Sequence, residues 1–176
     1  VETSDSVASS DEGSDEDIYI AKVAFDGTPV SVWTYSTSDS QGENFPLGMD
    51  YTDGRLVLAG YFVGEVTFGD FTLSSGNAGM VRSGFVVMLS ASDGIALWAK
   101  IIDATGDGNT IAYQPLFNED GNVVVGGHRC ESSSTVFDDC DAYIRLLNGE
   151  TGELIWNKDL GTQMTRSIGL AVHDNH

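Results

Sequence analysis

The side chains best suited to binding chemistry occur in one glycine-rich loop. Oxygen-bearing residues stand there at alternate positions: Asp103, Thr105, Asp107 and Asn109. Calcium takes about six to eight oxygen ligands, and short acidic loops with glycine can supply them. The segment departs from the EF-hand pattern, because Gln114 stands where a bidentate Glu would complete the ligand set. We therefore expect either a calcium site or a flexible loop between two strands.

Two cysteines offer redox or metal chemistry. Cys130 and Cys140 are separated by nine residues in a polar stretch between two strand-like runs. The pair lacks the further His or Cys ligands that a zinc site needs, so we predict a disulfide that closes a hairpin-like excursion. Such a bridge would add about 2–3 kcal/mol in the chain-entropy model and would indicate an oxidising compartment. Two free thiols in a reducing compartment are the alternative.

The sequence offers little for catalysis. It contains no G-x-S-x-G nucleophile motif and no glycine-rich phosphate loop that opens a helix. The histidines are His128, His173 and His176, and of these His128 stands near Cys130. A small acidic cluster beside Cys140 is most simply a solvated loop: Asp138, Asp139 and Asp141. We expect no catalytic residues and a protein that is not an enzyme.

The charge of the chain excludes several classes of partner. There are 27 acidic residues against 8 basic ones, a net charge of −19, and such a field repels nucleic acid and anionic membrane surfaces. No apolar run approaches the ~18 residues that span a bilayer, and no signal-peptide pattern is present. Because the sequence opens without Met, we expect a processed chain or a fragment.

Residues 1–17 form an acidic, serine-rich leader. They contain seven acidic residues and no aromatic one. Such a segment buries too little surface to offset the entropy of ordering, so we predict that it is disordered.

From residue 18 onward the sequence repeats. Three segments each read as a strand, a glycine turn and a second strand that reaches a tryptophan: 17–33, 83–98 and 141–156. The tryptophans follow one another at intervals of 65 and 58 residues: Trp33, Trp98 and Trp156. Equivalent positions in repeated strands favour packing of the indoles between successive units over a sugar-binding face.

Glycine turns punctuate the repeat. They are centred on Gly27, Gly54, Gly94, Gly121 and Gly152, and all but the last of these glycines follow an Asp. An Asp-Gly pair between alternating apolar residues predicts a type I′ hairpin turn, which needs φ > 0 at both central positions. A second motif aligns residues 47–62 with residues 113–128 and pairs Gly60 with Gly126.

These patterns predict an all-β fold of propeller-like, four-stranded antiparallel blades. The repeated units are 18–82, 83–140 and an incomplete 141–176, with extra length in loops at 63–79 and 129–140. About two and a half such units indicate part of a larger propeller. Because the third unit stops inside a hairpin, we expect either a longer chain or a second chain that completes the sheet.

Two resemblances extend this interpretation. GYFVGEVTFGDFTLSSG followed by SGFVVMLSASDGIALWAK resembles the repeat of the SBBP-type β-propeller proteins, over residues 17–176. That family consists mostly of secreted or surface proteins, so the resemblance implies architecture and location more than activity. YIRLLNGETGELIWNKDLG is similar to the repeat of PQQ-type quinoprotein propellers. Those enzymes need a full ring of blades, so a quinone-dependent oxidoreductase fragment is the less favoured alternative.

Together these features predict a secreted or cell-surface, non-catalytic module for binding or structural assembly. Calcium is the one cofactor that the residues suggest, and no other cofactor is expected. The expected partner is a protein or a glycan, or further copies of the chain. In the last case the chain would be a self-assembling subunit that completes its sheets between molecules.

Overall fold

The computed structural model describes residues 17–36, 43–75, 81–102, 108–130, 140–162 and 169–172. Within these segments the regular structure is β-strand throughout, and the strands form four-stranded antiparallel sheets, which confirms the predicted all-β fold. The predicted acidic leader lies outside the described residues, apart from Asp17.

The strands form three layers. The first is a hairpin of β1 (Ile18–Val23) and β2 (Pro29–Tyr35). Sheet 1 follows, with β3 (Asn44–Thr52), β4 (Arg55–Phe62), β7 (Ser83–Ser90) and β8 (Ala96–Ile102) side by side. A small hairpin of β5 (Glu65–Phe68) and β6 (Phe71–Ser74) connects β4 to β7. Sheet 2 contains β9 (Thr110–Phe117), β10 (Val123–Cys130), β11 (Cys140–Leu147) and β12 (Leu154–Thr162) in that order.

Strand alternation places apolar side chains on both faces of sheet 1, which is the middle layer. On β4, Leu56 and Leu58 join the first core, which also includes Ile18 and Ile20 of β1. The intervening Val57 belongs to the second core, with residues of sheet 2. Because successive side chains of a strand point to opposite faces, one strand serves two interfaces.

The two four-stranded sheets repeat with a different phase from the units read in the sequence. Each sheet combines the second half of one unit with the first half of the next, since residues 44–62 and 83–102 form one sheet. The predicted pairing of Gly60 with Gly126 is wrong by one residue. Gly60 lies opposite Phe85, whereas Gly127 lies opposite Tyr143, the residue equivalent to Phe85.

The turns follow the prediction at one position only. Asp53 and Gly54 have φ values of 45° and 77°, which confirms a two-residue type I′ turn between β3 and β4. At the turns of Gly27, Gly94 and Gly121 the preceding Asp does not have positive φ. These turns close over three or four residues, and in such loops a single left-handed glycine suffices. The type I′ prediction is therefore wrong at these three turns, and the turn that ends at Gly152 has four residues.

The segment 63–79 was predicted as a loop, and this prediction is wrong for residues 65–74. They form the β5–β6 hairpin, whose side chains Val66, Phe68 and Leu73 are buried in the first core. The hairpin leaves sheet 1 after Phe62 and returns at Ser83, which lies opposite Phe62. The connection therefore adds core without disturbing the pairing of β4 with β7.

Candidate binding surfaces

A tryptophan of each layer covers a glycine turn of the next layer. The indole of Trp33 lies against Gly94, in the turn between β7 and β8. In the same way Trp98 lies against Gly152, in the turn between β11 and β12, and a Cβ on Gly152 would meet Trp98 Cε3 at 2.6 Å. The Trp98 indole N–H also donates to the Gly149 carbonyl, at 3.1 Å. Two of the three repeated tryptophans thus take part in equivalent contacts between layers.

The first of these contacts includes a buried phenol. The Tyr35 hydroxyl donates to the Gly94 carbonyl at 2.6 Å. Burial, with a smaller contribution from the negative charge of Asp93, raises the pKa of Tyr35 to about 12. Lys100 holds the equivalent position in β8, and its side chain lies beside Gly152.

The third tryptophan, Trp156, has no such contact with a glycine turn of another described layer, and its own side chain is exposed. Trp156 of β12 is 43% exposed, whereas Trp98 at the equivalent position of β8 is 3% exposed. Four residues after each indole, on the same face, Leu160 is 54% exposed and Ile102 is 5% exposed. We call the face of sheet 2 that carries Ile144, Trp156 and Leu160 the outer face. It presents apolar side chains at positions that sheet 1 buries in the second core.

The opposite end of the layered array is open as well. Side chains that point away from sheet 1 form what we call the open face of the β1–β2 hairpin: Tyr19, Ala21 and Val32. Tyr19 is 72% exposed, whereas Val87 at the equivalent position of β7 is fully buried. The turn of this hairpin is also uncovered, because a Cβ on Gly27 would meet nothing within 4 Å.

A groove separates the hairpin from sheet 1. It has a volume of about 530 Å³, and its lining includes Lys22, Trp33, Met49 and Tyr51. Among the described strands β1 pairs with β2 alone, while the equivalent strands β7 and β11 each pair on both sides. The groove therefore lies next to the strand edge of β1 that no described strand occupies.

The predicted disulfide is confirmed. Cys130 and Cys140 are bonded and lie opposite each other on β10 and β11, both buried. His128, which the sequence places near Cys130, lies with them: one nitrogen of its ring and the two sulfurs are within 4.8 Å of one another. His128 Nδ1 is 3.1 Å from the Tyr113 hydroxyl, and burial lowers the pKa of His128. With the sulfurs bonded to each other, this group has no thiolate to offer a metal ion.

The predicted calcium ligands fall mostly outside the described residues, which include only Asn109 of the four. The Asn109 side-chain oxygen accepts a hydrogen bond from the Arg82 N–H at 2.8 Å and is thereby tied to the start of β7. Of the acidic cluster beside Cys140, only Asp141 is described, and His173 and His176 are outside as well. Calcium binding stays a prediction, as does the quinone-dependent alternative.

One buried cation was not anticipated from the sequence. Arg145 of β11 is 2% exposed and donates to Asp159 at 2.8 Å and to the carbonyls of Ile144 and Lys158. The hydrogen bond from Arg145 lowers the pKa of Asp159. The equivalent residue of sheet 1 is the apolar Val87, so the repeat itself gave no signal for this pair.

No family model matches the chain, and no curated protein matches it. Among the described residues there is no helix of the length and apolarity needed to cross a membrane.

Proposed function

We propose that the protein is a secreted or cell-surface, non-catalytic β-propeller-type module that binds an extended β segment of a partner protein along β1. The observation that carries this proposal is the edge of β1 that no described strand occupies, beside a groove with aromatic lining. A segment that adds to a strand edge gains main-chain hydrogen bonds, and its alternate side chains enter neighbouring pockets.

The repeat indicates what kind of segment fits. In sheet 1 the neighbour of β7 is β4, and in sheet 2 the neighbour of β11 is β10. Both neighbours are the second strand of a hairpin, and both carry a run of consecutive apolar residues. The partner segment we propose is accordingly a β-hairpin of the same pattern, with its second strand antiparallel to β1. Its apolar side chains would lie against Trp33, Met49 and Tyr51.

The secreted or surface location rests on two supports. A buried disulfide is typical of proteins from oxidising compartments. The SBBP-type resemblance implies the same location. The net charge of −19 favours partners whose surface around the hairpin is basic.

The test uses a synthetic hairpin peptide with the sequence of residues 44–62, which supplies β3 and β4 in sheet 1. Titration calorimetry should detect binding to the intact chain, and hydrogen exchange should show slower exchange of the β1 amides. Met49→Glu, which places a charge in the groove, should weaken binding at least tenfold. The matched control Ile155→Glu carries the same charge on β12 and should bind as the wild type does. Unchanged exchange of β1 at saturating peptide would contradict the proposal.

A further inference from the structure

We propose that copies of this chain associate head to tail, with the outer face of sheet 2 in one copy packed on the open face of the β1–β2 hairpin in the next. Trp156 of the first copy would cover the Gly27 turn of the second. Of the residues that define the two faces, only Ala21 also lines the groove beside β1, so the contact goes beyond the proposed function.

The contact we propose is one that the chain already makes internally. Sheet 1 packs on sheet 2 through Met88, Trp98 and Ile102, which meet Val123, Tyr143 and Leu147 in the second core. In the layer before, Ile18 and Ile20 of the hairpin pack on sheet 1 in the first core, with Trp33 against them. A layer thus joins the next layer through the same strand positions twice in succession.

The outer face of sheet 2 carries the strand positions through which sheet 1 packs on sheet 2. Counting from the tryptophans, Ile144, Trp156 and Leu160 correspond to Val86, Trp98 and Ile102. The three residues of sheet 1 are all buried, whereas Trp156 and Leu160 are exposed and Ile144 is partly exposed. Side chains suited to a layer interface are therefore present at the outer face without a described layer against them.

The open face of the hairpin carries the strand positions that, in sheets 1 and 2, are covered by the preceding layer. Tyr19 and Val32 are 72% and 57% exposed, and Tyr19 corresponds to Val87 and Arg145, both buried by the preceding layer. Gly27 corresponds to Gly94 and Gly152, and an indole of the preceding layer packs against each of these two glycines. Gly27 has the left-handed φ of 86° that those turns share. The outer face of sheet 2 and the open face of the hairpin thus lie at opposite ends of the layered array.

Two different surfaces that complement each other form a heterologous contact. Such a contact leads to closed rings or open filaments, whereas a two-fold dimer needs a surface that complements itself. Neither surface here does so: one presents an indole and the other a bare glycine turn. The net charge of −19 on each copy opposes association at long range. Because salt screens this repulsion, association should strengthen as ionic strength rises.

The experiment measures the mass of the intact chain by light scattering across concentration, at about 50 mM and 500 mM NaCl, where screening differs strongly. The wild type should grow beyond a dimer, and more so at high salt. Trp156→Glu and Tyr19→Glu should each stay monomeric, since each loses one of the two surfaces. Ile155→Glu adds the same charge beside Trp156 and should assemble as the wild type does.

A mixture of the two variants decides between geometries. Trp156→Glu keeps the hairpin face and Tyr19→Glu keeps the outer face, so equal amounts should form a one-to-one dimer that cannot grow. Circular dichroism checks that each variant is folded, and Leu160→Glu replaces Trp156→Glu if that variant is not. A wild type that is monomeric at every concentration and salt, or a mixture without dimer, overturns the proposal. Peptide binding along β1, measured on monomeric Trp156→Glu, whose β1 strand is unaltered, tests the proposed function separately.

Discussion

Sheets 1 and 2 are built from the same strand pattern, yet they bury it to different degrees. Sheet 1 has a layer on each face, so that Trp98 and Ile102 are enclosed. Sheet 2 has a described layer on one face, and Trp156 and Leu160 remain exposed. The residue types hardly differ between the two positions. The comparison teaches that an indole in this repeat gains its stabilising role from the next layer and not from its own strand.

The two sheets also differ in how they hold their middle connection. In sheet 1 the link from β4 to β7 is a hairpin that buries apolar side chains. In sheet 2 the link from β10 to β11 is closed by the disulfide between Cys130 and Cys140. Val63 and Cys130 occupy equivalent places, since each N–H donates to a backbone carbonyl just before the first strand of its sheet, at 2.8 Å. The connection of sheet 1 is thus stabilised by buried apolar side chains, and the equivalent connection of sheet 2 by a covalent bond.

The largest difference between the sheets should come from removing the tryptophans. Trp98→Ala should lower the free energy of unfolding by about 3–5 kcal/mol, because it leaves a cavity in the second core. Trp156→Ala should cost less than about 1 kcal/mol under conditions where the chain is monomeric, because its side chain is partly in water already. Urea unfolding of both variants checks this. Equal losses would contradict the comparison.

Opening the disulfide should have the next largest effect. Cys130→Ala with Cys140→Ala should lower the free energy of unfolding by about 2–3 kcal/mol, as expected for a closed loop of this size. Hydrogen exchange should quicken along β10 and β11 while β4 and β7 change less. The wild type treated with a dithiol reductant is the matched comparison. Equal quickening in both sheets would show that the bridge does not act locally.

The glycine turns provide a smaller contrast. Gly152→Ala and Gly27→Ala both place a side chain at a left-handed φ, at 69° and 86°. Only at Gly152 does the new methyl group also meet an indole. Gly152→Ala should therefore lower the free energy of unfolding by about 1–2 kcal/mol more than Gly27→Ala does. Thermal unfolding of Gly152→Ala and Gly27→Ala, under conditions where both are monomeric, measures the difference. If the two losses are equal, the Trp98 contact does not constrain the turn.

Removing the hydroxyl of Tyr35, which lies between the β1–β2 hairpin and sheet 1, should give the smallest effect. Tyr35→Phe removes the hydrogen bond to the Gly94 carbonyl and should cost about 1 kcal/mol at neutral pH. Because the pKa of Tyr35 is raised to about 12, the neutral phenol is favoured in the folded state. Its contribution is complete below about pH 10 and is lost as pH rises toward 12. Stability of Tyr35→Phe should therefore fall less than that of the wild type in this window.

Much of the fold followed from the sequence because hairpin patterns are local. The strands that contain Trp33, Trp98 and Trp156 carry β-branched residues and begin directly after glycine turns. The cysteine pair was also predictable, because Cys130 ends β10 and Cys140 begins its neighbour β11. What failed was the register between repeats. The turn before β4 has two residues and that before β10 has three, so the later glycines shift by one.

Other features depended on contacts that a single sequence does not display. Arg145 stands in a strand where the repeat has Val87, and only the packed sheet brings Asp159 and two carbonyls to it. The contact of His128 with the Tyr113 hydroxyl similarly forms because strand pairing aligns β9 with β10. The exposure of Trp156 was also not readable from the sequence, because this indole follows the same strand–turn–strand pattern as Trp98. Burial there is set by the layer arrangement.

The disulfide has a consequence for engineering. Cys130 and Cys140 lie 4.0 Å apart between their Cα atoms, so the two ends of the intervening segment are held together whatever its length. Lengthening a loop whose ends are already fixed adds little entropic cost, about 0.6 kcal/mol for each doubling. The chain is for this reason a candidate display scaffold, into which a foreign peptide can be grafted between the cysteines while both four-stranded sheets keep their pairing.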